Sequence, residues 1–160
     1  MIAAAERNCG PPPGLQPIER LLQQRGIFLL VDAITHVDRL HSRIACRYRM
    51  ERAAPILAGH FPGEPVWPGA LQVEAIGQAG LCLIRLRDEL RADARQCSFA
   101  LTQILGAQFV RPITPDRSDV EILAHVIADG LFTMVMGQCL QDDAVCSVAV
   151  LRGIGKEMES

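Results

Sequence analysis

"GHFPGEPVWPGALQVEAIGQAG", residues 59–80, joins two halves of opposite character. The first carries His60 and three prolines, Pro62, Pro65 and Pro68, with Gly59 and Gly63 close by. A stretch so rich in proline and glycine sets its own turns and cannot continue a helix or an interior strand. The second half is apolar, and from Pro65 to Ile84 the only charged residue is Glu74. Pro68 suits the first helical position, where a missing N–H costs nothing. One long helix is therefore predicted from Gly69 to about Ala92. Its first four turns should be buried on nearly all sides, and "RLRDELRADAR" should emerge into water.

Working outward, "IERLLQQ" (18–24) suits two helical turns with Leu21 and Leu22 inward. "IFLLVDAITHVD" (27–38) is β-branched and reads as a strand. "HSRIACRYRM" (41–50) reads as its antiparallel neighbour, with Ile44, Cys46 and Tyr48 on one face. An irregular loop follows from Glu51 to Pro68. Beyond the helix, strand-like runs fall at roughly 97–111, 119–129, 131–140 and 143–154, separated by turn signals at "PDRSD", "ADG" and "QDD". Strands, one buried helix, then more strands predict an α+β fold with an antiparallel sheet wrapped on a central helix. Residues 1–16 form a Pro/Gly-rich lead expected to be flexible, and 17–156 a single domain.

The 160-residue chain is long enough to bury a real core, and its net charge of −2 gives no basic face for nucleic acid. Its six cysteines, Cys9, Cys46, Cys82, Cys97, Cys139 and Cys146, form no CxxC pair and no zinc-like spacing with histidine. They read as small buried hydrophobes in a reducing compartment, and no metal site is implied. The apolar run at the start is too short for a signal peptide, and no stretch has membrane-spanning length. A cytoplasmic, soluble protein is expected.

Glu74 carries the chemistry. A carboxylate in apolar surroundings is costly unless paired, and desolvation favours its protonated form, which suits a proton donor. The alternative is a solvated notch, or a pairing with a structural arginine. His60 supplies a base on a loop whose backbone direction is fixed. The Gly69 N–H at a helix start can face an oxyanion, with no side chain in the way. A base, an acid and an oxyanion donor make a site for β-elimination next to a carbonyl.

The same stretch resembles the signature of the β-hydroxyacyl-(acyl-carrier-protein) dehydratases, in the FabZ-type branch of the hot-dog fold, close to GHFPxxPxMPGxLxxEAxAQ. The match covers Gly59, His60, Phe61, Pro62, Pro65, Pro68, Gly69, Leu71, Glu74, Ala75 and Gln78. Weaker similarity in "FLLVDAITHVD" and "GAQFVRPITPDRSDVEI" extends it over about residues 18–154. The resemblance implies a cofactor-free hydro-lyase that turns a 3-hydroxyacyl thioester into the trans-2-enoyl thioester. It implies His60 as the base for the α-proton, Glu74 as the acid at the β-hydroxyl and the Gly69 N–H on the thioester carbonyl. Phe61, Trp67 and Gln78 would lie against the substrate. It further implies a dimer whose two subunits share each site, possible assembly into trimers of dimers, and an acyl carrier protein as partner.

Three departures stand out: "LLQQRGIF" lacks the family's Pro-His-Arg lead, Trp67 replaces a slimmer residue, and "TPDRSDVEI" replaces a Pro-Gly-Asp turn. They point to a specialised pathway such as polyketide or polyene synthesis beside ordinary fatty-acid synthesis. Arg85, Arg87, Arg91 and Arg95, with Arg111 and Arg117, are candidates for a basic patch that meets the carrier. The competing view of the helix arginines is a solvated face shared with Asp88, Glu89 and Asp93. His36, His41 and His125 have no motif around them. The rival functions are a hot-dog thioesterase, against which His60 argues, and a non-catalytic acyl-binding subunit of a hetero-oligomer.

Overall fold

The computed structural model describes residues 17–88 and 97–157. In chain order they form α1 (Ile18–Leu21), β1 (Ala33–Asp38), β2 (Arg43–Tyr48), α2 (Ala54–Leu57), α3 (Gly69–Asp88), β3 (Cys97–Phe109), β4 (Val120–Asp129), β5 (Phe132–Gln141) and β6 (Ala144–Glu157). The strands make one antiparallel sheet in the order β1-β2-β4-β5-β6-β3. The sheet wraps α3, whose 20 residues supply the centre of the core. This is the hot-dog arrangement.

The helix is buried because its inner faces are small and apolar: Ala75, Ile76, Ala79, Cys82 and Leu83 are all fully enclosed. Two glycines let helix and sheet interlock. A Cβ on Gly80 would stand 2.5 Å from Val135 Cγ1, and one on Gly137 would stand 2.5 Å from Ile76 Cγ2. Each backbone thus admits a branched side chain from the other, closer than any Cβ would allow.

The expected strand over 27–38 is only half realised. Residues 26–28 form a 3₁₀ turn, and ladder pairing begins at Ala33. The reason lies in the backbone groups between. Leu30 N–H donates to Gln78 Oε1, and Phe28 C=O accepts from Gln78 Nε2, so a helix side chain takes the place of a neighbouring strand. The two turns expected over 18–24 shrink to one, and the loop from Glu51 contains short helical turns at 50–53 and 54–57. Pro68 stands one position before α3, and its carbonyl accepts from Leu71 N and Gln72 N. Ile44, Cys46 and Tyr48 share the buried face of β2 as expected. The 1–16 lead, and the helix beyond Asp88 with Arg91 and Arg95, lie outside the described residues.

Cys46, Cys82, Cys139 and Cys146 are free and buried. Desolvation pushes the Cys46 thiol well up, and pushes Cys82 and Cys139 up to about 12. Among the described residues no helix is long and apolar enough to cross a membrane.

Candidate active site

His60 is held by its own loop. Phe61-Pro62-Gly63-Glu64 closes on itself: Glu64 N donates to Phe61 O at 3.0 Å and Phe61 N to Glu64 O at 3.3 Å. Proline in the second place and Gly63 at φ +84° in the third are what a type II turn requires. The loop then returns beside His60. Val66 N donates to His60 O at 2.8 Å, and His60 Nδ1 lies 2.8 Å from Val66 O. A carbonyl can only accept, so Nδ1 carries the hydrogen and the neutral ring keeps its lone pair on Nε2. That orientation leaves Nε2 as the ring nitrogen able to accept a proton. Phe61 stacks on the imidazole at 4.0 Å between centroids and is itself exposed.

The loop continues into an anchored segment. Trp67 N donates to Ile113 O at 2.8 Å, and Trp67 O accepts from Gln72 Nε2 at 3.0 Å. The Trp67 ring is fully enclosed and stacks on Tyr48 with centroids 5.1 Å apart. In the single chain the indole therefore fills core beneath the loop. α3 starts two residues later, and its first N–H groups have no partner within the helix. Gly69 is the first of these. A Cβ there would meet Phe109 Cε1 and Cζ at 2.8 Å, so the half-exposed ring at the end of β3 packs directly against this glycine.

Glu74 faces outward from the second turn of α3 and is half-buried, more open than its apolar flanks suggest. Its hydrogen-bond partners among the described residues are amides rather than arginine. Gln78 Nε2 donates to Glu74 Oε1 at 2.9 Å, and Gln24 Nε2 lies 3.4 Å from the same oxygen. Gln78 is enclosed and fully bonded, since its amide also joins Phe28 O at 2.7 Å and Leu30 N at 2.8 Å. Both donors converge on Oε1, which leaves Oε2 to act. Gln78 thus orients the carboxyl. Gln24 was not among the residues singled out by motif; its only signal was its place in the segment that departs from the family lead.

The structure groups these residues in two sets, His60 with Phe61 and Val66, and Glu74 with Gln78 and Gln24. No hydrogen bond joins His60 to Glu74 within the chain among the described residues. An apolar groove of about 470 Å³, lined by Met50, Leu57, Phe61, Pro62, Pro65 and Pro115, runs beside the His60 loop. Arg111 and Arg117 are exposed where β3 gives way to β4, and Arg117 Nε lies 4.0 Å from Asp142 Oδ2. Arg111 follows the Phe109 that covers Gly69. Arg85 is half-buried and sits 16 residues along α3 from Gly69, about 24 Å at 1.5 Å per residue. His41 is exposed and pairs with Asp38 at 2.8 Å, apart from either set.

The family model of the FabA-like domain matches residues 22–149. The chain belongs to this family. Among curated relatives, the 3-hydroxyacyl-(acyl-carrier-protein) dehydratases FabZ of Campylobacter concisus and Campylobacter curvus are 30% and 32% identical, each over 86% of this chain and 93% of their own length. Among solved structures, the dehydratase heterocomplex ApeI:P from Xenorhabdus doucetiae superposes with a TM-score of 0.64 at 19% identity, covering 89% of this chain and 93% of that one. A thioesterase from Pseudomonas aeruginosa superposes with a TM-score of 0.62 at 17% identity, covering 91% and 98%. At such low identity these structures speak for the hot-dog fold alone.

Proposed function

We propose that this chain is a hydro-lyase that dehydrates a 3-hydroxyacyl thioester on acyl carrier protein to the trans-2-enoyl thioester. The observation that carries it is the His60 tautomer, a base held with Nε2 free, in the loop that leads into the Gly69 helix start. His60 Nε2 takes the α-proton, and the C–H electron pair becomes the Cα=Cβ bond as the Cβ–O bond breaks. Glu74 Oε2 delivers a proton to the departing hydroxyl, which leaves as water. The Gly69 N–H meets the charge that develops on the thioester oxygen. Proton exchange with solvent then resets both side chains. General acid–base catalysis contributes about 10²–10⁴-fold and one oxyanion donor about 2.7–4 kcal/mol, so positioning in a dry pocket supplies the remainder.

The site is shared between two copies of the chain. Supporting this, β3 is a 13-residue edge strand with Leu101, Ile104, Leu105 and Phe109 each about half exposed, a face that soluble proteins seldom leave unpaired. Phe109 joins that edge to Gly69, so a partner on β3 adjoins the helix start. His60 from one subunit then meets Glu74 of the other. Arg111, two residues beyond Phe109, and Arg117 receive the acidic carrier, with Arg85 about 24 Å along α3 from Gly69 as a further candidate contact. The product feeds fatty-acid or polyketide-type chain building in the cytoplasm. A different hot-dog chain on the β3 edge is the second reading, favoured by the same exposed apolar strand.

Mass spectrometry of 3-hydroxyacyl carrier-protein thioesters incubated with wild type, His60→Ala and Glu74→Gln tests the chemistry. Loss of one water with wild type, and at least 100-fold less with either variant, is the expected outcome. Release of free acid would replace the dehydratase by a thioesterase. No turnover by a folded homodimer would favour the non-catalytic subunit.

A further inference from the structure

The two glutamines at Glu74 differ in what their amides have left to give. Every polar atom of the Gln78 side chain is engaged, with Phe28 O, Leu30 N and Glu74 Oε1. Gln24 makes one long approach to Glu74 through Nε2 at 3.4 Å, while its Oε1 is buried with no hydrogen-bond partner among the described residues. A buried acceptor without a donor is rare in native proteins and calls for a reason. Nor is Gln24 loosely placed. The Arg25 guanidinium donates to the carbonyls of Glu19, Leu22 and Gln24 at 2.8, 2.6 and 2.7 Å, which pins the turn that presents it.

We propose that Gln24 Oε1 receives the hydrogen of the departing β-hydroxyl, so that Gln24 and Glu74 together bind the leaving water. The proposal rests on the dehydratase reading of the site. A hydroxyl that accepts a proton from Glu74 Oε2 still carries its own hydrogen, and that hydrogen needs an acceptor as the Cβ–O bond breaks. Glu74 Oε1 already faces two N–H groups. The Gln24 carbonyl oxygen is the nearby acceptor with nothing to hold. As a neutral amide it accepts the hydrogen bond without taking the proton, so it does not compete with the acid step. The last torsion of glutamine is soft, so the amide can turn its oxygen to the hydroxyl at the expense of the long 3.4 Å approach of its N–H to the carboxylate.

The test compares two ligands that differ only in the hydroxyl. In the His60→Ala background, which prevents turnover, affinities are measured for a 3-hydroxyacyl pantetheine thioester and the matched saturated acyl thioester, with and without Gln24→Met. Methionine keeps the length and removes the amide. The expected result is a roughly five- to tenfold weaker 3-hydroxyacyl complex with the saturated ligand unchanged. Equal losses for both ligands would make Gln24 a packing residue and overturn the proposal, as would no loss for either. Glu74→Gln in the otherwise wild-type chain separates the two levels. If it abolishes dehydration while Gln24→Met leaves hydroxyl recognition intact, only the Gln24 role falls. If it turns over normally, the acid assignment falls and the Gln24 role falls with it.

Discussion

His60 and Glu74 are fixed by opposite means. His60 is braced from six residues away, by the carbonyl of Val66 on a loop that folds back on itself. Glu74 is braced by side chains, one of them from a turn 50 positions distant, and by a Gln78 amide that is locked to backbone 48 and 50 positions away. The first brace exists as soon as the loop closes. The second exists only once the 28–31 segment lies across α3. The placement of His60 should therefore tolerate damage to the core better than that of Glu74.

Gln78→Leu breaks the second brace and carries the largest expected effect on stability. It leaves the Leu30 N–H without a partner in a fully buried place, and the Phe28 carbonyl with only what solvent can reach. The cost is about 2–4 kcal/mol in urea unfolding, with activity falling as Glu74 loses its orienting donor. Should stability stay within about 0.5 kcal/mol of wild type, the segment is held by its own packing and the amide is incidental.

Alkaline pH tests the packing of α3 on the sheet. Cys82 on α3 and Cys139 on β5 sit in the contact between helix and sheet, and burial raises both thiols to about 12. A folded value above the ordinary 9.0 means the native state holds its protons longer than the unfolded chain. The stabilisation is complete below pH 9 and is lost as pH rises from 9 toward 12. Each thiol contributes a slope of about 1.4 kcal/mol per pH unit across that window. Cys82→Ala should reduce the slope measured by chemical denaturation, and an unchanged slope would place the sensitivity elsewhere.

The division between local and distant bracing also explains what could be read from the sequence. The loop, the start of α3 and five of the strands were legible because proline, glycine and apolar periodicity act over a few residues. β4, predicted over 119–129, is Val120–Asp129, and β5, predicted over 131–140, is Phe132–Gln141. Residues 27–32 misled because their composition is that of a strand, yet their partner is a helix side chain. The amide partners of Glu74 were illegible for the same reason, since Gln24 and Gln78 meet it only through the chain's path. Trp67 could be read as a pocket wall or as core, and nothing local told that Tyr48 stacks on it.

Breaking the local brace should affect activity as well as stability. Gly63→Ala places a side chain at φ +84°, which costs about 1–2 kcal/mol, with no steric conflict within 4 Å. The turn loosens where it aims His60, so kcat is expected to fall about tenfold while the urea midpoint falls only by what that cost implies. A variant with wild-type kcat would show that the Val66 carbonyl alone orients the ring.

Gly69→Ala gives the smallest change in stability, and it separates space from fold. The added methyl would sit 2.8 Å from two carbons of the Phe109 ring, too close to persist. In the single chain that ring is about half exposed and can swing aside, so the cost to the fold of the chain is expected to stay under about 1 kcal/mol. The same substitution at Gly137 meets the Leu123 carbonyl oxygen at 2.6 Å and an enclosed Ile76, which cannot yield so easily, and should cost about 1–3 kcal/mol. Activity should rank the two the other way. At Gly69 the methyl and the displaced ring would stand over the N–H proposed to face the thioester oxygen, so a 10- to 100-fold loss in kcat is expected from a chain that unfolds almost like wild type. If Gly69→Ala keeps full activity, the oxyanion donor is another of the free N–H groups at the start of α3, and the bare approach to Gly69 serves only to seat Phe109.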